Sequence, residues 1–208
     1  METELLKVFD ENGRCLGTAE RKEVHRQGFW HETFHCWMTE RHLDRMYLYF
    51  QLRSPLKKDY PSLFDITAAG HLLADETAAD GVRELEEELG LSILFSELVS
   101  LGTIPWTGSH GDIIDRELAR VYLYHRESPI EGFSLQKEEV AGVVKADFRE
   151  FEELAAGKRK TLQVTGFRET ENGERIPLAD SVDLSAFVPH QSSYYEELFK
   201  QIRSNVKI

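Results

Sequence analysis

Strand-like segments precede, surround and follow one strongly acidic helix in this 208-residue sequence, with further short amphipathic helices spread among them. That alternation predicts an α/β (α+β) fold in which helices sandwich one mixed β-sheet. The length fits a single domain over 1–208, with 158–208 as a C-terminal hairpin plus helix extension, and 41% hydrophobic residues are ample for its core.

Taken in order, residues 3–20 read as a β-hairpin, because "ELLKVFD" alternates, if imperfectly, and runs into a turn at Asn12-Gly13. "HETFHCWMT" (31–39) and "MYLYFQLR" (46–53) are aromatic-rich and strand-like, joined by the polar "ERHLDR". "PLKKDYPSL" (55–63) is a loop punctuated by two prolines, and the strand-like "FDIT" follows it. Beyond the acidic helix, "TIPWTGSHGD" (103–112) is loop-like after Pro105 and "LARVYLYH" (118–125) is a strand. "GVVKADF" (142–148) is a strand feeding a short helix, "REFEELAAG", closed by Gly157. "TLQVTGFRETENGERIPL" is a second hairpin turning at Asn172-Gly173, and "SYYEELFKQIRSNV" (193–206) is an amphipathic C-terminal helix.

Composition narrows the function. A net charge of −12 argues against a nucleic-acid polymer as partner, since gripping phosphates along a strand needs clustered Lys and Arg. A phosphorylated small molecule still fits, given a local basic patch or a bound cation. No stretch approaches the ~18 apolar residues that span a membrane, and no signal peptide is visible. Cys15 and Cys36 are too few for a disulfide framework. These features lead to the expectation of a soluble cytoplasmic protein. Its oligomeric state, a homodimer included, is not readable from them.

The acidic helix carries the chemistry. Thr77-Ala78-Ala79-Asp80 matches a capping box, which predicts a helix start near Thr77, and Gly90 suits its end. Ala78, Val82, Leu85 and Leu89 fall on one stripe, and Glu84, Glu87 and Glu88 on another, so the three carboxylates are expected to point together. On charge alone such a run is ordinary solvated surface. Yet like charges at this spacing cost a few tenths of a kcal/mol per pair, and a hard divalent cation turns that repulsion into binding. Arg83 stands directly before the first glutamate, and Gly70 and Glu76 lie in a short connection from which a carboxylate can reach back.

Gly70, Glu76 and "RELEEELGL" (83–91) resemble the Nudix box: glycine, five residues, glutamate, seven residues, then Arg-Glu-aliphatic-x-Glu-Glu-x-Gly-aliphatic. One departure stands out. Six residues (77–82) separate Glu76 from Arg83, so either the connection is one residue shorter or Asp75 takes the glutamate's place. The resemblance implies a Nudix-type α/β/α sandwich with a mixed β-sheet. It implies that Glu84, Glu87 and Glu88 hold Mg²⁺ or Mn²⁺, that Arg83 buttresses them, and that the reaction is hydrolysis of a nucleoside diphosphate linked to another moiety or of a similar organic diphosphate.

Residues 3–155 are similar, within that family, to the branch related to isopentenyl-diphosphate isomerase. There a metal site of three histidines and two acids would correspond to His25, His31, His71, Asp115 and Glu117, a donor set suited to Zn²⁺ or Mn²⁺. The alternative for each histidine is a hydrogen-bonded structural residue. The isomerase's catalytic cysteine corresponds to Ala69, which has no thiol, and no tryptophan occurs after Trp106, so isomerisation is disfavoured. Glu117 is the outside acid that such hydrolases often add, and Glu84 or Glu117 is the expected base. Arg21, Arg53 and Lys57 match the basic residues that hold the diphosphate, with Lys58 as readily a solubilising surface residue. Gly70, Glu76 and Trp106 complete the expected substrate-facing set, with His110 beside Trp106 in the same stretch. A non-catalytic diphosphate-binding module is the alternative from another class.

Overall fold

A computed structural model describes residues 4–111, 113–127, 129 and 131–206. The N-terminal hairpin forms as its pattern predicts: β1 (Leu5–Phe9) and β2 (Cys15–Glu20) pair antiparallel. The Asp10 carboxylate accepts the amides of Asn12 and Arg14 in the turn, and Gly13 supplies the positive φ of 77°. The chain then enters α1 (Arg21–Gln27), which the sequence pattern does not reveal. This helix has seven residues and buries only Val24, so it carries no apolar period to detect.

The spine of the molecule is β3 (Trp30–His42). It pairs antiparallel with β1, with β4 (Arg45–Arg53) and with β6 (Ala68–His71), and parallel with β8 (Ile113–Arg126). β5 (Phe64–Ile66) pairs with β4, and β7 (Val99–His110) with β8. On the other flank β4 continues into β9 (Val140–Asp147), β10 (Leu162–Glu169) and β11 (Arg175–Val182). The C-terminal hairpin therefore extends the same sheet.

Alternation along β3 sorts its side chains onto two faces. Phe34, Cys36 and Met38 pack with Leu85 and Leu89 of α2 (Arg83–Leu89). Trp37 points the other way, into a core shared with Phe148 and Phe151 of α3 (Phe148–Ala155) and with Tyr194, Leu198 and Ile202 of α4 (Ser192–Asn205). This is a mixed sheet between helical layers, as expected.

Two local expectations are corrected. The α-helix starts at Arg83, not near Thr77: residues 80–82 form a 3₁₀ turn. The Thr77 amide and hydroxyl both donate to Asp80 Oδ2, at 2.8 and 2.7 Å, so the hydroxyl is spent as a donor and only half a capping box forms. Residues 103–110 are strand, not loop. Among the described residues β7 pairs only with β8, and an edge strand tolerates Pro105 because one row of its amides needs no partner.

Candidate active site

Arg83 ties the end of β6 to the start of α2. Its Nε and Nη2 donate to the two oxygens of Glu76 at 2.7 and 3.1 Å, and Nη2 also reaches the His71 carbonyl at 3.0 Å. Nη1 donates to Glu84 Oε1 at 2.5 Å and to Glu87 Oε2 at 3.2 Å. Glu76 Oε2 further accepts the Leu73 amide at 2.8 Å. The bonds from Arg83 hold the Glu76 carboxyl below the usual carboxylate range. Glu76 rather than Asp75 thus occupies the glutamate's place. It is an anchor for Arg83, which corrects its expected placement against substrate. A 3₁₀ turn rises about 2.0 Å per residue against 1.5 Å for an α-helix, so a connection one residue short still spans the gap.

Gly70 is explained by the same cluster. A Cβ there would stand inside the Glu84 carboxylate, with even the farther oxygen, Oε2, only 2.6 Å away. The glycine lets the carboxylate lie flat on the strand.

The three helix carboxylates lie on one side of the helix, with Glu84 and Glu87 bonded to the same Arg83 nitrogen and the charge of Glu84 felt by Glu88, but they differ in burial. Glu84 and Glu88 are 8% and 7% exposed, whereas the Glu87 side chain is 54% exposed. At about 100° per residue, positions 84 and 88 differ by only ~40° while 87 sits ~100° from 88, on the flank. Among the described residues Glu84, Glu87 and Glu88 form no donor set within common reach of an ion. Burial pushes Glu84 up to about 7, against the pull of Arg83. Burial, and then the charge of Glu84, pushes Glu88 well above the usual carboxylate range. Glu88 Oε2 accepts from Gln51 at 3.3 Å and from the Ala69 amide at 3.4 Å.

A second cluster gathers side chains from four elements. His25 comes from α1, His31 from the start of β3, His71 from the end of β6, and Asp115 and Glu117 from β8. The parallel ladder sets His31 directly beside Glu117. Ligating atoms of His25, His31 and His71 lie within 4.8 Å of one another, and so do those of His31, Asp115 and Glu117. The His31 and His71 rings stack at 5.1 Å, with His25 edge-on to both. Burial holds His25 and His31 at about 4 and His71 well below its ordinary value, so all three imidazoles are neutral near pH 7. The same burial raises Asp115 and Glu117, and the charge of Glu117 raises Asp115 further.

One contact in this cluster needs positive charge between its two atoms. His31 Nδ1 lies 3.1 Å from the Phe29 carbonyl, an acceptor only, so the single proton of the neutral ring sits there. Nε2 then carries a lone pair, and it faces Asp115 Oδ1 at 3.5 Å. Both atoms are buried without a hydrogen-bond partner. An imidazole lone pair set against a carboxyl oxygen calls for positive charge between them, either the proton that burial favours on Asp115 or a cation, and three imidazoles with two carboxyl groups make a donor set for Mn²⁺ or Zn²⁺.

The basic residues divide. Arg21 stands near the cluster, its charge depressing His25 and His71 after burial has acted, and it pairs with Glu4 at 3.1 Å. Lys57 pairs with Glu139 and its charge is felt by Glu88 and His71. Arg53 is sequestered, which corrects its expected role as a phosphate ligand. Its guanidinium donates to Asp65 at 2.9 Å, to the Asp59 carboxylate at 2.8 Å and to the Asp59 and Tyr60 carbonyls. It thereby holds the loop in which Tyr60 and Ser62 take positive φ. Trp106 is 5% exposed, opposite Glu117 in the β7–β8 ladder, and so is no solvent-facing loop residue. The side chain of His110 lies outside the described residues.

Sequence reasoning missed His35, Tyr194, Asp65 and His190. His35 had a signal: it lies on the same face of β3 as His31, four residues on. The others come together only through tertiary contact.

No protein-family model matches the chain. It is 40% identical over 202 residues to an uncharacterized Nudix hydrolase of Clostridium acetobutylicum, covering 97% of this chain and 98% of that one. It is 34% identical over 157 residues to Nudix hydrolase 3 of Arabidopsis thaliana, covering 73% of this chain but 20% of that protein. The isopentenyl-diphosphate Delta-isomerase of Streptomyces avermitilis is 28% identical over 72% of this chain and 75% of its own length. A solved Deinococcus radiodurans structure superposes with TM-score 0.52 at 18% identity, covering 74% of this chain and 90% of that one. A Nudix hydrolase of M. smegmatis gives 0.52 at 12% identity, covering 97% and 96%. The chain belongs to the Nudix hydrolase family. Membership of that family makes it a pyrophosphohydrolase, an enzyme acting on acid anhydrides.

Proposed function

We propose that this enzyme is a divalent-metal-dependent hydrolase that cleaves the pyrophosphate bond of a small organic diphosphate, a nucleoside diphosphate derivative in the first instance. The observation that carries the reading is the facing pair of unpartnered atoms, His31 Nε2 and Asp115 Oδ1, inside a ring of neutral imidazoles and carboxylates. His25, His31, His71, Asp115 and Glu117 would hold Mn²⁺ or Zn²⁺, and Glu84, Glu88 and the more exposed Glu87 would hold Mg²⁺ or Mn²⁺ for the reaction. Bound there, the cations polarise phosphoryl oxygens and lower the pKa of a bound water.

The chain's own residues then have distinct tasks. Glu84, poised at about 7 by burial, accepts the proton of the attacking water, while Arg83 keeps its carboxylate against Gly70. Arg21 and Lys57 supply positive charge near an otherwise acidic site. Net charge of −12 disfavours a nucleic-acid polymer as substrate, and no described helix is long and apolar enough to cross a membrane.

Phosphate release from nucleotide sugars, dinucleoside polyphosphates, cofactor diphosphates and prenyl diphosphates, with Mg²⁺ or Mn²⁺, tests the reading. Turnover should be lost in Glu84→Gln and Glu88→Gln, and unchanged turnover in both would defeat it. The histidine cluster also favours a second reading, since the isomerase resemblance extends to that donor set. Ala69 offers no proton there, so isopentenyl diphosphate should stay unchanged. Formation of dimethylallyl diphosphate would replace hydrolysis as the function.

A further inference from the structure

Behind Glu117 runs a line of polar atoms that the hydrolytic reading does not use. The Trp37 indole N–H donates to the Tyr194 hydroxyl at 3.1 Å, and that hydroxyl lies 2.9 Å from His35 Nδ1. On the far side of the same ring, His35 Nε2 lies 3.1 Å from Glu117 Oε2, which also accepts from the Thr33 hydroxyl at 3.3 Å. Trp37, His35 and Tyr194 are all buried, drawn from β3 and from α4.

Chemistry fixes the direction of these bonds. An indole nitrogen donates and never accepts, so the Tyr194 oxygen is the acceptor from Trp37. Among the described residues the Tyr194 hydroxyl has no other acceptor, so its proton goes to His35 Nδ1, which presents its lone pair. The one proton of neutral His35 therefore sits on Nε2, aimed at Glu117. Tyr194 is itself held in place. His190 stacks on its ring at 4.9 Å, Nε2 of His190 is 3.3 Å from Asp65 Oδ1, and Arg53 grips Asp65 at 2.9 Å.

We propose that His35 and Tyr194 are positioning residues for Glu117: the C-terminal helix, by fixing the proton of His35 on Nε2, orients this carboxylate toward the cation. The proposal rests on the reading of Glu117 as a ligand of that cation. It gives the C-terminal extension a task at a site otherwise built from residues 25–117. With one oxygen saturated by His35 and Thr33, the other is left to the metal. Without the Tyr194 hydroxyl, the proton is free to move to Nδ1, and an Nε2 lone pair would then face the carboxylate. Partners that orient a ligand in this way are typically worth about 10–100-fold in metal affinity.

The test is titration of the full, metal-stripped chain with Mn²⁺, following free Mn²⁺ by electron paramagnetic resonance, with thermal melts as the folding control. Tyr194→Phe removes one oxygen and keeps the ring. It should weaken Mn²⁺ binding about 10-fold, and His35→Phe at least as much. His35→Gln keeps an amide N–H on that side and should recover most of the loss. In ¹⁵N spectra the His35 signal should show Nε2 protonated in the wild type, and that preference should weaken in Tyr194→Phe. Wild-type affinity in both Tyr194→Phe and His35→Phe would overturn the proposal. Should His35→Phe not fold, Tyr194→Phe and its spectrum decide. Glu117→Gln separates the two levels. If it binds Mn²⁺ like the wild type, the metal reading of Glu117 fails and the proposal with it. If it loses Mn²⁺ while the other variants keep it, only the positioning proposal fails.

Discussion

Gly70→Ala is the smallest change that tests the architecture of the site. Gly70 lies in β6, not at a positive φ, so alanine brings no backbone strain and the added methyl acts alone. That methyl would meet Glu84, with Oε2 at 2.6 Å and Oε1 nearer still where ordinary contact begins at 3.4 Å, so the carboxylate must retreat by more than 0.8 Å. Retreat breaks the 2.5 Å bond from Arg83 and takes Glu84 away from its place between strand and helix. A displacement near 1 Å at a reacting group costs about 100-fold in rate, while overpacking of this size costs about 1–3 kcal/mol of stability. The expected result is a folded protein, with a melting temperature a few degrees lower and kcat reduced about 100-fold on any substrate that the phosphate-release screen identifies. A folded Gly70→Ala variant with kcat within threefold of wild type would refute the account of both Gly70 and Glu84.

Two further outcomes follow from the electrostatics. Buried Asp115, Glu117, Glu84 and Glu88 have raised pKa values, so the folded chain holds protons that the unfolded chain releases; stability falls as pH rises from about 4 through the folded values, near 7 for Glu84. His25 and His31 are depressed to about 4, and their contribution is lost as pH falls below about 6.5. A cation relieves the first penalty, so the gain in melting temperature from Mn²⁺ over chelated protein should grow between pH 6 and 8; a gain that is flat or shrinks would contradict the sign. Arg53→Met should destabilise the fold by about 3 kcal/mol, because it strips buried Asp65 of its guanidinium partner and leaves it only His190 and the Ile66 amide. Denaturant unfolding checks this, and a loss under about 1 kcal/mol would return Arg53 to the diphosphate-binding role that the resemblance implied.

What could be read in advance depended on the range of the interaction. The hairpins, the central strands and the C-terminal helix carry their own turn residues and periodicity, and each formed within a few residues of its expected bounds. His25, His31, His71, Asp115 and Glu117 are brought to one place, as the resemblance implied. Glu87 is the exposed member of its trio because it sits on the flank of the helix, ~100° from Glu88, while Leu85 and Leu89 face the core as their spacing predicts. Arg53 was misread because nothing in its neighbourhood announces that Asp65 will be folded back beside it. His35 was legible in principle from the period of β3. Its partner Tyr194 was not, since the contact spans 159 positions and leaves no local trace.

The parallel ladder between β3 and β8 also bears on kinetics. It sets residue 31 against residue 117, and parallel pairing across so long a loop is among the slower steps of folding. Until it closes, His31 is not in reach of Asp115 and Glu117. A cation that needs all three cannot recruit the chain early, and it acts by retarding the opening of a completed ladder. On the proposed reading, metal availability would govern how long the enzyme lasts once made, and would leave the speed of its making to the sequence.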